Sequence, residues 1–206
     1  MTAPPLTGAP RALIVLHSPG WMGIARLPRA LAQAGFEVAS LSPAGSFLSL
    51  TRFNRHHFTL AEGQLPVQAL EAAVRQFRPD VLVPGCDAAV HLLLLIAHTA
   101  EQGQWPDPTS PLPALVRRSL GGAGVRHNRL SKHNTLGLAR HLGLHTPAQL
   151  QVTDLAQAHE ACAKLGWPVV LKGEYGSAGS TVRICEDATA LDRAWHGLRA
   201  AAPGCA

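Results

Sequence analysis

Residues 165 to 185 read LGWPVVLKGEYGSAGSTVRIC, and this stretch decides how the rest of the chain is understood. Val169, Val170 and Leu171 form an apolar run that reads as a buried strand and delivers Lys172 at its end. Gly173, Gly176, Ser177, Gly179 and Ser180 follow within eight residues, and STVRIC (180 to 185) reads as a second strand. Glycines let backbone N–H groups approach phosphate oxygens closely, hydroxyls add donors, and the lysine adds a point charge. The same residues also describe an ordinary hairpin loop, in which the glycines only supply positive φ and the lysine is solvated.

Working outward, Asp154 with Gln157 three positions on resembles a capping arrangement that opens a helix through Leu165. AQLQV (148 to 152) reads as a short strand. Residues 129 to 142 set Leu130, Leu136, Ala139 and Leu142 on one helical stripe that stops at Gly143. Asp187 to Ala201 reads as a final helix. Upstream, GQWPDPTSPLP (103 to 113) carries four prolines in eleven positions and marks the expected domain boundary.

Before that segment, strands and helices alternate. Strands are expected over 11 to 17, 36 to 43 and 79 to 85, and helices over 24 to 36, 64 to 77 and 87 to 102. Such alternation implies parallel pairing with crossover connections. The expected fold is therefore α/β: an open, parallel, three-layer Rossmann-like domain over residues 1–110, followed by a small α+β lobe over 111–206.

Composition narrows the classes. With 206 residues, 47% hydrophobic and 15% charged, the chain is not intrinsically disordered. The longest aliphatic stretch, Leu92 to Ala97, is far short of the ~20 residues of a membrane-spanning helix. No secretory signal is read at the start of the chain, so a cytoplasmic address and no membrane partner are expected. Cys86, Cys162, Cys185 and Cys205 stand far apart without a CxxC pair, so they read as reduced, packed thiols. The formal charge of +5 comes from dispersed basic residues, which suits a small anionic ligand and gives no nucleic-acid footprint.

A family resemblance sharpens this reading. Lys132, the turn at Gly143, Leu144, Thr146 and Pro147, the strand Gly166, Pro168, Val169, Val170, Leu171 and Lys172, and the loop Gly176, Gly179 and Val182 resemble the first lobe of an ATP-grasp ligase. In that family a lysine opens a helix, a "G(I/V)PxP" turn follows, and "GxPVVLKP" leads into a "GxGGxGV" loop. PDVLVPGCD (79 to 87) is similar to the strand end "DxVxPxxD" of the domain that precedes this lobe. The resemblance spans nearly the whole chain, with its specific motifs in residues 130 to 185. It implies that ATP is the cofactor, with Lys132 meeting a nucleotide phosphate and Lys172 reaching the phosphates and the adenine edge. Gly176, Ser177, Ala178 and Gly179 would form the lid over the β- and γ-phosphates. Gly173 stands where the family has proline, and Ala178 and Thr181 where it has glycine. The implied activity is ATP-dependent activation of a small-molecule carboxylate as an acyl phosphate, which an amine or other nucleophile then attacks. Magnesium belongs to the family's second lobe, and the chain is expected to stop before that lobe. Poor catalysis and self-association through an unfinished edge are expected of it in isolation.

Other residues are weighed against this. Arg52, Arg55, His56 and His57 read as a solvated loop, with a substrate-anion contact as the other reading. Asp87 reads as the N-cap of the following helix, or as a ligand contact. Trp21 and Trp167 read as packing residues. HSPGWMG (17 to 23) lacks GxGxxG, which argues against a dinucleotide protein, and no GxxxxGK[ST] occurs. A non-catalytic nucleotide- or small-ligand-binding module of the same fold is the alternative to the ligase.

Overall fold

The structure, a computed structural model, describes residues 8–121, 131–173 and 179–201. The chain divides into two units, Met1–Arg126 and His127–Ala206.

In the first unit, β1 (Arg11–Val15), β2 (Glu37–Pro43), β3 (His56–Leu60) and β4 (Val81–Pro84) form one sheet in the order β3-β2-β1-β4. Every pairing is parallel, with Leu13 opposite both Ala39 and Leu82, and Leu41 opposite Phe58. β1 is paired on both edges and buried on both faces, from Ala12 to Leu16. Its side chains alternate accordingly. Leu13 and Val15 pack with Leu70, Val74, Leu93 and Ile96 from α2 (Pro66–Phe77) and α3 (Asp87–Glu101). Ile14 and Leu16 pack on the other face with Ile24, Val38 and Leu48. Three layers result, as the expected α/β fold requires.

Three local differences from the sequence reading have physical causes. His56 and His57 lie in the edge strand β3 and not in a loop. Phe58 and Leu60 supply the period-two contacts with the core, and β2 supplies the hydrogen-bonding edge. The first expected helix is split into a 3-10 turn, Met22–Arg26, and α1 (Leu27–Gln33), with Pro28 in the first turn, where its missing N–H is harmless. Helix α4 (Leu112–Leu120) follows the proline-rich segment directly and begins on Pro113 in its first turn. Leu112, Leu115, Val116 and Leu120 recur at helical spacing and are buried in the same core as α2 and α3. The boundary expected near residue 110 therefore falls inside the first unit.

The proline-rich segment is fastened to α2. Ser110 Oγ donates to the Glu71 carboxylate at 2.7 Å, and Arg75 bridges Glu71 and Asp107 at 2.9 and 2.6 Å. Asp107 also accepts from the backbone and hydroxyl of Thr109 at 2.9 and 2.7 Å.

The second unit contains α5 (Lys132–His141), α6 (Leu155–Leu165), the antiparallel pair β5 (Val169–Lys172) and β6 (Val182–Cys185), and α7 (Ala188–Ala201). Ala158, Cys162, Cys185, Leu191 and Ala194 form its core, with Val169 and Leu171 packed against them. The capping arrangement at α6 is present. Gln157 N–H and its amide donate to the two Asp154 carboxylate oxygens, each at 2.8 Å. Residues 148 to 152 are not a strand, since they pair with neither strand of the two-stranded β5–β6 sheet. Leu130 lies outside the described residues.

Two predictions follow from this packing. Leu120→Ala, a truncation at a fully buried site, should lower stability by about 2–5 kcal/mol. The urea midpoint would fall with an unchanged slope, whereas an unshifted midpoint would contradict the placement of α4 in the core. The second concerns Asp107, whose carboxyl is held below its ordinary range, first by the Thr109 hydrogen bonds and then by Arg75. A lowered folded-state value means the contribution is present above the unfolded value and disappears as pH falls through the folded one. The melting-temperature gap between wild type and Asp107→Asn should therefore be present at neutral pH and close in strong acid. A gap independent of pH would contradict it.

Candidate nucleotide site

Ser131 starts the site. Its backbone is extended and its hydroxyl accepts from Asn134 N–H at 2.9 Å, which fixes Lys132 as the first residue of α5. From there the Lys132 ammonium donates to the Gly173 carbonyl at 3.1 Å, across 41 positions of sequence. Gly173 is also the residue that closes the β5–β6 ladder, its N–H donating to Thr181 O at 2.9 Å. Lys172, the residue before it, pairs with Val182 and is exposed. The structure thus brings Lys132 and Lys172 to the same end of the hairpin.

Gly179 enters β6 with φ of 77°, and its carbonyl accepts from Val182 N–H at 3.1 Å. Gly176, Ser177 and Ala178 lie outside the described residues.

The hairpin has two unlike faces. Val169, Leu171 and Cys185 meet the helices, whereas Val170 and Ile184, paired across the strands, are 51% and 71% exposed. The strand expected to be buried is buried on one face only. On the covered face, burial pushes the Cys162 and Cys185 thiols up, and both are free and buried. Cys86 is a free thiol as well, half-buried, while Cys205 lies outside the described residues.

The first unit has its own feature at the carboxyl ends of β1 and β4, where the strand order changes direction and where open sheets bind ligands. Gly85 N–H donates to Val15 O at 2.7 Å, and a Cβ at Gly85 would stand 3.1 Å from Ile24 Cδ1. A larger residue there would make Ile24 and the Val15 carbonyl give way by a few tenths of an ångström. His17 donates its backbone N–H to Cys86 Sγ at 3.4 Å. Its Nε2 is buried without a hydrogen-bond partner among the described residues, and burial pushes its pKa down, favouring the neutral ring. The sequence reading passed over His17, although its position directly after an apolar strand was the available signal. Asp87 is not an N-cap. It is the first residue of α3, Cys86 holds the cap position, and no side chain caps the helix. Trp21 and Trp167, read as packing residues, are 51% and 41% exposed, and the Trp21 indole rests against Gly23. His57 Nδ1 lies 2.9 Å from Ser40 Oγ at the sheet edge, and burial lowers its pKa.

Among the described residues, no three His, Cys, Asp or Glu side chains converge to hold a metal ion. The magnesium that the resemblance attaches to the reaction does not fit the described donor set. Among the same residues, no helix is long and apolar enough to cross a membrane.

A parallel Rossmann-like sheet in the first unit and, in the second, a helix-backed hairpin with two lysines at one end define the class as α/β. No protein-family model matches the chain. The formate-dependent phosphoribosylglycinamide formyltransferase of Synechococcus sp. (strain CC9311) is 34% identical over 137 residues, covering 66% of this chain and 31% of the relative. Among solved structures, an ADP complex of N5-carboxyaminoimidazole ribonucleotide synthetase superposes with a TM-score of 0.66 at 18% identity, covering 98% of this chain and 47% of that one. The L-amino acid ligase of Bacillus licheniformis superposes at 0.58 and 17% identity, covering 93% and 43%. The chain is thus similar in sequence to these formate-dependent formyltransferases, and its fold is that of the ATP-grasp ligases. It spans about a third of the length of the curated relatives it matches.

The left-handed turn at Gly179 gives a prediction. An alanine there is placed in a conformation costing roughly 1–2 kcal/mol. Gly179→Ala should destabilise the chain by about that amount, and Gly179→Asn, which tolerates the conformation better, by less. Equal melting temperatures for wild type and both variants would contradict the turn.

Proposed function

We propose that this chain supplies the ATP-holding lobe of a carboxylate-activating ligase, with the nucleotide on the open face and open end of the β5–β6 hairpin. The observation that carries the reading is the convergence of Lys132 and Lys172 at Gly173, beside an exposed apolar pair. Val170 and Ile184 offer a flat apolar surface of the kind a purine ring covers. Lys172 follows on the same strand and in this reading would meet the phosphates and the adenine edge. Lys132 is held at the loop's first residue and adds a second positive charge where a triphosphate would lie. Gly176, Ser177, Ala178 and Gly179 belong to the same proposal as the loop that folds over the terminal phosphates.

In the reaction proposed for the whole protein, a substrate carboxylate oxygen attacks the γ-phosphorus and ADP leaves. An amine then attacks the acyl carbon and inorganic phosphate leaves. ATP supplies the phosphoryl group that turns the carboxylate into a good acyl donor. The part of this chain is electrostatic, since fixed positive charge stabilises the negative charge spread over a transferring phosphoryl group. The similarity to a formyltransferase that uses formate and to an amino acid ligase supports a small carboxylate as substrate.

A charge-assisted hydrogen bond contributes roughly 1.5–3 kcal/mol, so losing one to phosphate should weaken binding about 10- to 100-fold. Titrating the 206-residue chain with a fluorescent ATP analogue should show that loss in Lys172→Ala, with partial recovery in Lys172→Arg. Undiminished affinity in Lys172→Ala would count against the assignment.

A further inference from the structure

A cleft of about 460 Å³ opens in the first unit at the carboxyl ends of β2 and β3, lined by Pro43, Ala44, Leu60, Ala61, Glu62, Gly63 and Gln64. It shares no residue with the nucleotide site. Its chemistry falls into three parts. Pro43, Ala44 and Leu60 make an apolar wall. The Glu62 carboxylate is exposed and has no partner among the described residues. The third part is a set of donors on the same turn. Gln64 spends its carbonyl oxygen on Ala61 N–H at 3.2 Å, which leaves its amide N–H groups to donate. Gly63 has φ of 75°, and the successive N–H groups of Glu62 and Gly63 have no acceptor among the described residues. Each of these unpaired amides is a hydrogen-bond donor for an anionic oxygen.

One small molecule carries the complement of all three parts. We propose that this cleft binds an aliphatic α-amino acid: its ammonium on Glu62, its carboxylate on the 62–63 amides and the Gln64 side chain, and its apolar side chain against Pro43 and Leu60. The carboxyl edge of a parallel sheet is where α/β folds place ligands, and the cleft lies at that edge one strand away from the β1/β4 crevice. An amine without a carboxylate, or a carboxylate without an amine, satisfies only part of the lining. The site therefore discriminates for the zwitterion.

The test is a two-dimensional amide NMR titration of the full chain with L-leucine, isobutylamine and isovalerate. L-Leucine should shift the amides of Ala44 and of residues 61 to 64 saturably, with an affinity at least ten times that for either partial analogue. Glu62→Gln should reduce the L-leucine affinity by a similar factor while leaving the rest of the spectrum unchanged. Absence of saturable shifts with L-leucine would overturn the proposal, as would equal affinity for isovalerate or undiminished affinity in Glu62→Gln.

Discussion

A two-stranded ribbon of four residues per strand cannot stand alone in water, and the second unit is organised around that constraint. One face of the ribbon must be covered, and α6 and α7 cover it through Ala158, Cys162, Leu191 and Ala194. The pleat then leaves every alternate residue on the other side. Val170, Lys172 and Ile184 are exposed for that reason, and the open face is a consequence of how the ribbon is stabilised. The Lys132 contact with Gly173 adds the second requirement, because it ties α5 to the end of the ribbon where Lys172 emerges.

The first unit solves a different problem. β1 is saturated with hydrogen bonds on both edges and with apolar contacts on both faces, so it has no surface left for ligands. What remains available is its carboxyl end, where His17, Gly85 and Cys86 meet. Parallel sheets concentrate function at their strand ends for this reason. The apolar layers that bury β1 also account for α4, whose Leu112, Leu115, Val116 and Leu120 extend the α2 and α3 side of the core.

Much of this was legible in the sequence because long apolar patterns carry their own period. β1, β2, β4, α2, α3, α6 and the β5–β6 hairpin are read directly from spacing and caps. What escaped was decided by neighbours distant in sequence. β3 is polar at His56 and His57 and becomes a strand because β2 offers an edge. Residues 148 to 152 carry strand-like composition and find no partner. Helix α4 was hidden by prolines that in fact start it. Asp87 has the chemistry of a cap, yet the helix begins one residue earlier than that role requires. At the candidate site, Lys132 and Lys172 could be matched by family resemblance, but spacing alone could not reveal that Gly173 brings them together.

The most direct measurement is amide hydrogen exchange of the full chain with and without ATP. The account predicts protection on adding ATP in residues 170 to 184 and at the start of α5, with the β1 and β4 strand ends unchanged. Protection confined to residues 17 to 24 and 85 to 88, with none in the hairpin, would contradict it.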